Sequence, residues 1–176
     1  MKSDLHELHE SNESIELYER NIRGARKSCY YKLTDDEISE IKISIRTINA
    51  DEDIFIFNSD EHLHTSYLDA TDIVIINGDV LPTTDASESH PRSIMSARAV
   101  ISHEYYGHRS HRGTPLLANS WEDEYNASRT AAETTPNLTD EERRHLVMDA
   151  LERKREAGIV PVLDGFERRI LYGESY

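Results

Sequence analysis

The sequence predicts an α+β fold that is mainly helical and carries a small sheet. Capping boxes, in which a threonine stands three residues before a glutamate, recur and are followed by apolar residues at helical spacing. Two short runs rich in β-branched and aromatic residues, at 54–57 and 72–77, have the length and composition of strands. The length of 176 residues suits one domain, so we expect a single domain over residues 1–176.

The composition excludes several classes of function. The formal net charge of −14 repels phosphate backbones, so we expect no nucleic-acid partner. A single cysteine, Cys29, excludes an internal disulfide and a thiolate metal cluster. The longest purely aliphatic run, at 73–76, is far shorter than a membrane span, and residues 1–6 lack the apolar run of a signal peptide. We therefore expect a cytoplasmic protein, or a domain of one, that does not bind membranes.

The first half of the chain is predicted to hold two helices and a polar loop besides the two strands. Apolar residues at roughly helical spacing indicate a helix within residues 3–27. The capping box of Thr34 and Glu37 indicates a second helix from residue 35. The polar residues 58–71, between the two strands, are predicted to form a surface loop. This loop contains two histidines, His62 and His64.

The second half of the chain is predicted to be largely helical. Ser93 is the candidate N-cap of a helix that continues into residues 103–108. Ser120 is predicted to cap the next helix, and the capping box at Thr139 the one after it. The buried face of that last helix is predicted to consist of Leu146, Val147, Ala150 and Leu151.

The segment His103–His108 is the strongest candidate for a metal site. It reads His-Glu-Tyr-Tyr-Gly-His, with two imidazoles that can bind zinc and a glutamate that can take a proton from a metal-activated water. The two histidines are five residues apart, which on an ideal helix separates their side chains by roughly 140°. They can reach one ion if the helix is widened by one residue, as in a π-bulge. Gly107 tolerates such irregular backbone.

This hexapeptide resembles the HExxGH motif of the dipeptidyl peptidase III family, zinc peptidases in which one residue is inserted into the common HExxH motif. A second motif of that family, Glu-Glu-x-x-Ala-Glu on a later helix, is similar to Asp123–Ser128, which reads Asp-Glu-Tyr-Asn-Ala-Ser. Aspartate takes its first position here, and Ser128 replaces its last acid. The resemblance covers residues 93–132, so the two-lobed architecture and dipeptide specificity of the family are not expected of this chain.

The resemblance implies a zincin-like core made of an edge strand, an active-site helix and a glutamate-bearing helix. It implies that His103, His108 and Glu124 bind Zn²⁺ and that Glu104 is the general base. Two histidines and one carboxylate leave a fourth position for water, as in catalytic rather than structural zinc sites. Residues 72–77 are the candidate edge strand, which would hold the backbone of a peptide or protein substrate. The alternative for the same residues is an ordinary core strand.

A rival ligand set is compatible with an undistorted helix. Glu104, His108 and His111 stand at positions i, i+4 and i+7 and would share one face. Glu104 would then be a ligand rather than a base, and His103 would lie outside the metal shell. The glycine within the motif and the downstream Glu124 favour the first set.

Further side chains are candidates for contacts with the substrate. A hydrogen-bond donor near the zinc should stabilise the charge that develops on the attacked carbonyl. Arginines near the two motifs are expected to bind a substrate carboxylate or, alternatively, to pair with Glu122, Asp123 or Glu133. The candidate donors are Tyr106, Tyr125, His111 and His145, and the arginines are Arg109, Arg112 and Arg129.

The sequence thus predicts a zinc metallopeptidase, a hydrolase that cleaves peptide bonds with a metal-activated water and a glutamate base. Two alternatives stay open at this point. Residues 103–158 resemble C-terminal domains attached to prophage head-morphogenesis proteins, and this resemblance would suit a processing or toxin role. One alternative is a non-catalytic, metal-stabilised binding or structural domain. Such a domain would belong to a phage or secretion assembly. The other is a peptidase-type toxin, which would use the same mechanism on a host protein.

Overall fold

A computed structural model describes residues 26–59, 63–116 and 118–173. The predicted α+β class, mainly helical with a small sheet, is confirmed. Apart from residues 26 and 27, the predicted helix at 3–27 lies outside the described residues, as does His62. In chain order the elements are α1 (Asp35–Thr47), β1 (Phe55–Phe57), β2 (Ser66–Leu68), β3 (Ile73–Ile76), α2 (Pro91–Ile94), α3 (Ala97–Ser102), a π-helical segment (His103–Gly107), a 3₁₀ turn (His108–His111), α4 (Trp121–Thr134), α5 (Asp140–Glu156) and α6 (Gly165–Tyr172); short 3₁₀ turns at Glu52–Ile54 and Gly78–Val80 flank the sheet.

Three helices begin where the sequence predicts. The capping boxes at Thr34 and Thr139 are confirmed, and each threonine hydroxyl accepts a hydrogen bond from the N–H of the glutamate three residues later. Ser120 caps α4, as predicted. The predicted buried face of α5 is also confirmed, since Leu146, Val147, Ala150 and Leu151 are all buried.

The helix that leads into the metal motif begins later than predicted. Ser93 is not its N-cap, because Ser93 lies inside the short helix α2 and its hydroxyl donates to the carbonyl oxygen of His90 at 2.7 Å. The backbone is extended at Met95, and α3 starts anew after Ser96, whose hydroxyl accepts from the N–H of Ala99. The prediction was wrong because a second serine three residues on offers an equally good cap.

The sheet has three strands in the order β1-β3-β2. β3 pairs with β1 in parallel and with β2 in antiparallel orientation, with Val74 opposite Phe55 and Tyr67. The prediction that residues 72–77 form the edge strand is therefore wrong, because β3 is the central strand, and the alternative of a core strand is confirmed. Its unbroken aliphatic run is typical of a strand covered on both faces.

The described edge strand beside the metal motif is β2, which the sequence analysis assigned to a surface loop. The assignment of 58–71 as loop is wrong at Ser66–Leu68. A three-residue strand with half-buried side chains gives almost no periodic signal, and pairing with β3 is what holds it extended. A polar stretch can therefore contain a strand that contacts the metal motif.

The core lies between α1, the sheet and helices α3 to α5. Helix α4 makes its most extensive contacts with α5 and with the π-helical segment, so these three elements fix one another's positions. Within the described residues, no helix has both the length and the apolar character to cross a membrane. The buried core includes Ile41, Ile45, Ile48, Val74, Ile76, Ile101, Ala131, Leu146 and Val147.

Candidate metal centre

The predicted widening of the motif helix is present. Residues His103–Gly107 form a π-helical turn between α3 and the 3₁₀ turn. It brings the rings of His103 and His108 to a centroid separation of 4.7 Å, edge to face at 89°. A five-residue spacing thus places both imidazoles on one side, which an α-helix would not do.

Gly107 is required by a close approach rather than by its own backbone angles. Its φ of −80° is accessible to any residue. A Cβ atom at this position would lie 2.5 Å from the carbonyl oxygen of Ala127 on α4, closer than real Cβ contacts come. The glycine therefore lets α4 pack directly on the π-helical segment and bring its acidic residues to the histidines.

Glu124, at the first turn of α4, faces both histidines. Its Oε2 lies 3.4 Å from Nε2 of His103, and its Oε1 lies 3.6 Å from Nε2 of His108. Ligand atoms held tetrahedrally at zinc–ligand distances of 2.0–2.1 Å are about 3.3 Å apart, so both imidazole–carboxylate separations are compatible with one ion between the three side chains. The structure thus brings together the three side chains that the resemblance implies as ligands.

The second nitrogen of each imidazole is held by a neighbour on α4. Nδ1 of His108 lies 3.4 Å from a carboxylate oxygen of Asp123, and Nδ1 of His103 lies 2.8 Å from the hydroxyl of Ser128. Partners on Nδ1 orient the ring and leave Nε2 to face a metal, which is the common arrangement around metal-binding histidines.

Glu104 is buried and fixed by the edge strand. One of its carboxylate oxygens accepts a hydrogen bond of 2.8 Å from the backbone N–H of Tyr67 on β2. Its carboxylate is also close to the ligand nitrogens of His103 and His108, within 4.8 Å. Burial raises the pKa of Glu104, against the lowering influence of the two histidines. A carboxylate with a raised pKa beside a candidate metal site is suited to proton transfer near neutral pH.

The charges of the cluster oppose the effect of burial. Burial alone would raise the pKa of Glu124, but contacts with His103 and Arg153 outweigh it and keep that pKa far below its usual range. Burial likewise disfavours protonated His108, yet Asp123, Glu104 and Glu124 raise its pKa to about 9. The lowered pKa values of Asp123 and Glu124 favour the ionised form of these two acids beside the histidines. The raised pKa of His108 favours its protonated form, so this ring must release a proton when it binds a metal.

The rival ligand set is not brought together. Nε2 of His111 lies 3.2 Å from the hydroxyl of Thr130, on the far part of α4. Among the described residues, two groups of acids and histidines lie close enough together to hold a metal: His103 with Glu104 and His108, and His108 with Asp123 and Glu124. The two groups share His108, and neither includes His111. The π turn and the following 3₁₀ turn remove the i, i+4, i+7 relation that the rival set needs.

The four candidate donors for the attacked carbonyl differ in position. Tyr106 donates to the carbonyl of Ile48 at 2.6 Å, and Tyr125 donates to Glu167 at 2.8 Å. Both hydroxyls are thus engaged away from the metal position. His145 is half-buried on α5 and lies 3.9 Å from Glu141. His111 lines the cleft that contains the metal motif, so it is the candidate with access to a bound peptide.

The arginines near the motifs pair with acids. Arg109 and Arg112 both contact Asp72 at the start of β3, at 2.8 and 3.5 Å. The predicted partners Glu122 and Asp123 are not used by these two. Arg129 pairs with Glu133 at 2.8 Å, as the alternative proposed, and also with Asp164. These contacts fasten the site elements to the sheet and to the turn before α6.

The metal motif opens into a cleft of about 1440 Å³ that runs along β2. Two of its lining groups, Arg153 and Asp149, were not singled out by the sequence analysis, and a third, His64, was assigned to a surface loop. Arg153 on α5 contacts Oε2 of Glu124 at 3.0 Å, and the buried Asp149 lies one helical turn earlier. His64, taken as a loop residue, is held by Asp79 at 2.8 Å. No local motif marks these residues, since each acquires its position from tertiary packing.

No family model, curated protein or solved structure matches this chain.

Proposed function

We propose that this chain is a zinc-dependent peptidase with a zincin-like core, in which His103, His108 and Glu124 hold the metal and Glu104 is the general base. The observation that carries the proposal is the convergence of two Nε2 atoms on the two carboxylate oxygens of one glutamate, at 3.4 and 3.6 Å. Two nitrogens and one oxygen form the donor set of a catalytic zinc with an open fourth position.

Asp123 contacts a proposed ligand and does not itself bind the metal. It approaches Nδ1 of His108 at 3.4 Å, whereas Glu124 approaches Nε2 of the same ring at 3.6 Å. One imidazole gives a single nitrogen to a given ion, so the two carboxylates have different roles. Asp123 orients the ring, and Glu124 shares the ion with it.

Glu104 has the position and environment of a base. Zinc, when bound, polarises the scissile carbonyl and acidifies the attacking water. Glu104 accepts the proton of that water and passes it to the leaving amine nitrogen. The N–H of Tyr67 fixes one carboxylate oxygen, so the other remains available for proton transfer. Glu104 is buried yet lines the cleft, so substrate can approach it from that side.

The open edge of β2 suits an extended peptide. In an antiparallel strand the N–H and C=O of one residue point to the same side. The N–H of Tyr67 points to Glu104, away from β3, so its carbonyl also faces the open edge and can accept a hydrogen bond from substrate. Binding through main-chain groups places a peptide bond beside Glu104 whatever its side chains. The substrate class is therefore a peptide or an unfolded segment of protein.

Zinc binding is the first expected result. The purified chain binds one zinc ion per molecule, and free zinc a thousandfold above its Kd stabilises the fold by about 4 kcal/mol. For a chain of 176 residues this raises the melting temperature by roughly 10 °C, and a chelator reverses the shift. Metal analysis and calorimetry measure both effects. His108→Ala loses the shift, whereas His90→Ala, at an exposed histidine before α2, keeps it. Absence of zinc from the wild-type chain would contradict the proposal.

The hydrogen bond from the edge strand to the base gives a second expected result. Tyr67→Pro removes the N–H that holds Glu104 and keeps the pairing of β2 with β3, because that N–H faces away from β3. Tyr67→Ala is the matched control, since it removes the same side chain and retains the N–H. A hydrogen bond to a charged group contributes about 1.5–3 kcal/mol, so kcat falls roughly ten- to a hundredfold further in Tyr67→Pro than in Tyr67→Ala. Equal rates in the two variants would show that the edge strand does not position the base.

A further inference from the structure

A buried carboxylate on α5 lies behind the first histidine of the metal motif. Asp149 is 1% exposed, and its Oδ2 accepts a hydrogen bond of 2.6 Å from the hydroxyl of Ser128. The same hydroxyl oxygen lies 2.8 Å from Nδ1 of His103, and Ser128 is fully buried. The three side chains form a continuous hydrogen-bonded chain, to which we refer as the relay.

The direction of the relay follows from the number of protons on serine. A hydroxyl donates one proton, and Ser128 donates it to Asp149. The oxygen of Ser128 must then accept from His103, so the proton of a neutral His103 ring resides on Nδ1. Nε2 is left with its lone pair directed towards Glu124 and the proposed metal position.

Two arginines hold Asp149 in the orientation that the relay needs. Nε of Arg92 donates to Oδ1 of Asp149 at 2.8 Å, which leaves Oδ2 for Ser128. Arg153 lies 3.5 Å from Oδ1 of Asp149 and 3.0 Å from Oε2 of Glu124. Arg153 thus links the relay to the proposed ligand, and the positive charge of both arginines favours an ionised Asp149.

We propose that Asp149, acting through Ser128, is the positioning residue that fixes the proton of His103 on Nδ1 and turns its Nε2 towards the metal. The inference rests on the proposed zinc site. The ring of His108 is oriented by direct contact with Asp123. The ring of His103 is oriented by Ser128 of α4, which is itself held by Asp149 of α5. Packing of α5 against α4 thereby becomes a determinant of metal affinity.

The test uses two variants and a matched control. Ser128→Ala breaks the relay and leaves the contacts of Asp149 with both arginines in place. Asp149→Asn reverses the direction of the hydrogen bonds in the relay. Arg92 donates to the oxygen of the new amide, so the amide nitrogen faces Ser128 and donates to its hydroxyl oxygen. The serine proton must turn to Nδ1 of His103, which forces the ring proton onto Nε2. The control is Ser102→Ala, at a buried serine next to His103 whose hydroxyl donates to the carbonyl of Arg98.

Zinc affinity, measured by chelator competition, is the first readout. We expect Ser128→Ala to weaken it by about ten- to a hundredfold, Asp149→Asn to weaken it at least as much, and Ser102→Ala to leave it unchanged. The second readout needs no activity and no metal. A proton held on Nδ1 by the relay exchanges slowly with water and gives a ¹⁵N-coupled proton resonance, which both relay variants lose and the control keeps.

The outcomes separate this inference from the proposed function. A wild-type chain without zinc affinity contradicts the metal site. The relay is then tested by the Nδ1 resonance alone, which the wild-type chain should show and Ser128→Ala should lose. A chain that binds zinc with equal affinity in all variants and keeps the resonance in Ser128→Ala overturns the relay and leaves the zinc site intact. If Asp149→Asn fails to fold, as circular dichroism would show, Ser128→Ala decides alone.

Discussion

Replacement of Glu104 by glutamine is expected to abolish peptide cleavage and to leave zinc binding intact. Glutamine keeps the shape of the side chain and can still accept the hydrogen bond from the N–H of Tyr67. It cannot take a proton from water, so the loss equals the contribution of a general base, about a hundred- to ten-thousandfold in kcat. Cleavage of a mixed peptide digest, followed by mass spectrometry, measures the rate, and metal analysis measures the zinc content.

Glu133→Gln is the matched control, because it makes the same chemical change at the carboxylate on α4 that pairs with Arg129. Its activity should equal that of the wild-type chain. A Glu104→Gln variant that retains full activity would refute the role of Glu104 as base. A variant that loses its zinc as well would identify Glu104 as a ligand, which is the arrangement of the rival set. A wild-type chain that binds zinc and cleaves nothing would support the metal-stabilised binding domain.

Replacement of Gly107 by alanine is expected to separate the ligands. The added Cβ would lie 2.5 Å from the carbonyl oxygen of Ala127, so α4 and the π-helical segment must move apart by about half an ångström or more. Such overpacking costs about 1–3 kcal/mol of the free energy of unfolding. Because Glu124 lies on α4 and both histidines border the π turn, zinc affinity falls together with stability. A displacement of about 1 Å at a catalytic site reduces the rate about a hundredfold.

Gly158→Ala distinguishes this effect from a general loss of stability. Gly158 follows α5 with a φ of +76° and open space around it, so alanine there costs about 1–2 kcal/mol through backbone strain alone. The melting temperatures of the two variants should be lowered to a similar extent. Zinc affinity should fall in Gly107→Ala alone, and equal zinc affinity in both variants would contradict the close-packing role of Gly107.

The parts of the fold that depend on local chemistry were predictable. The capping boxes at Thr34 and Thr139 determine where α1 and α5 begin, and capping depends on residues three positions apart. The π-helical turn was also predictable from residue spacing, since two histidines five residues apart can face one ion only if the helix is widened. The apolar stripe of α5 identified its buried face for the same reason.

The parts that depend on tertiary contacts were not predictable from one sequence. β2 has three residues and no apolar alternation, and the group it offers to Glu104 is a backbone N–H, which every residue except proline has. Asp149 reads as an ordinary acid on a charged helix. Its burial and its contact with Ser128 arise from the way α5 packs on α4. Ser128 replaces the last acid of the motif that Asp123–Ser128 resembles. The role that we propose for Ser128 depends on its contact with Asp149, which the sequence does not show.

The central claim is that zinc binds His103, His108 and Glu124 while Glu104 remains outside the metal shell. The most direct measurement is a crystal structure of the zinc-loaded protein with anomalous diffraction at the zinc absorption edge. We predict a single strong peak about 2.0–2.1 Å from Nε2 of each histidine and from a carboxylate oxygen of Glu124, with the carboxylate of Glu104 not coordinated. A peak coordinated by Glu104 or by His111, or no peak between the two motifs, would contradict it.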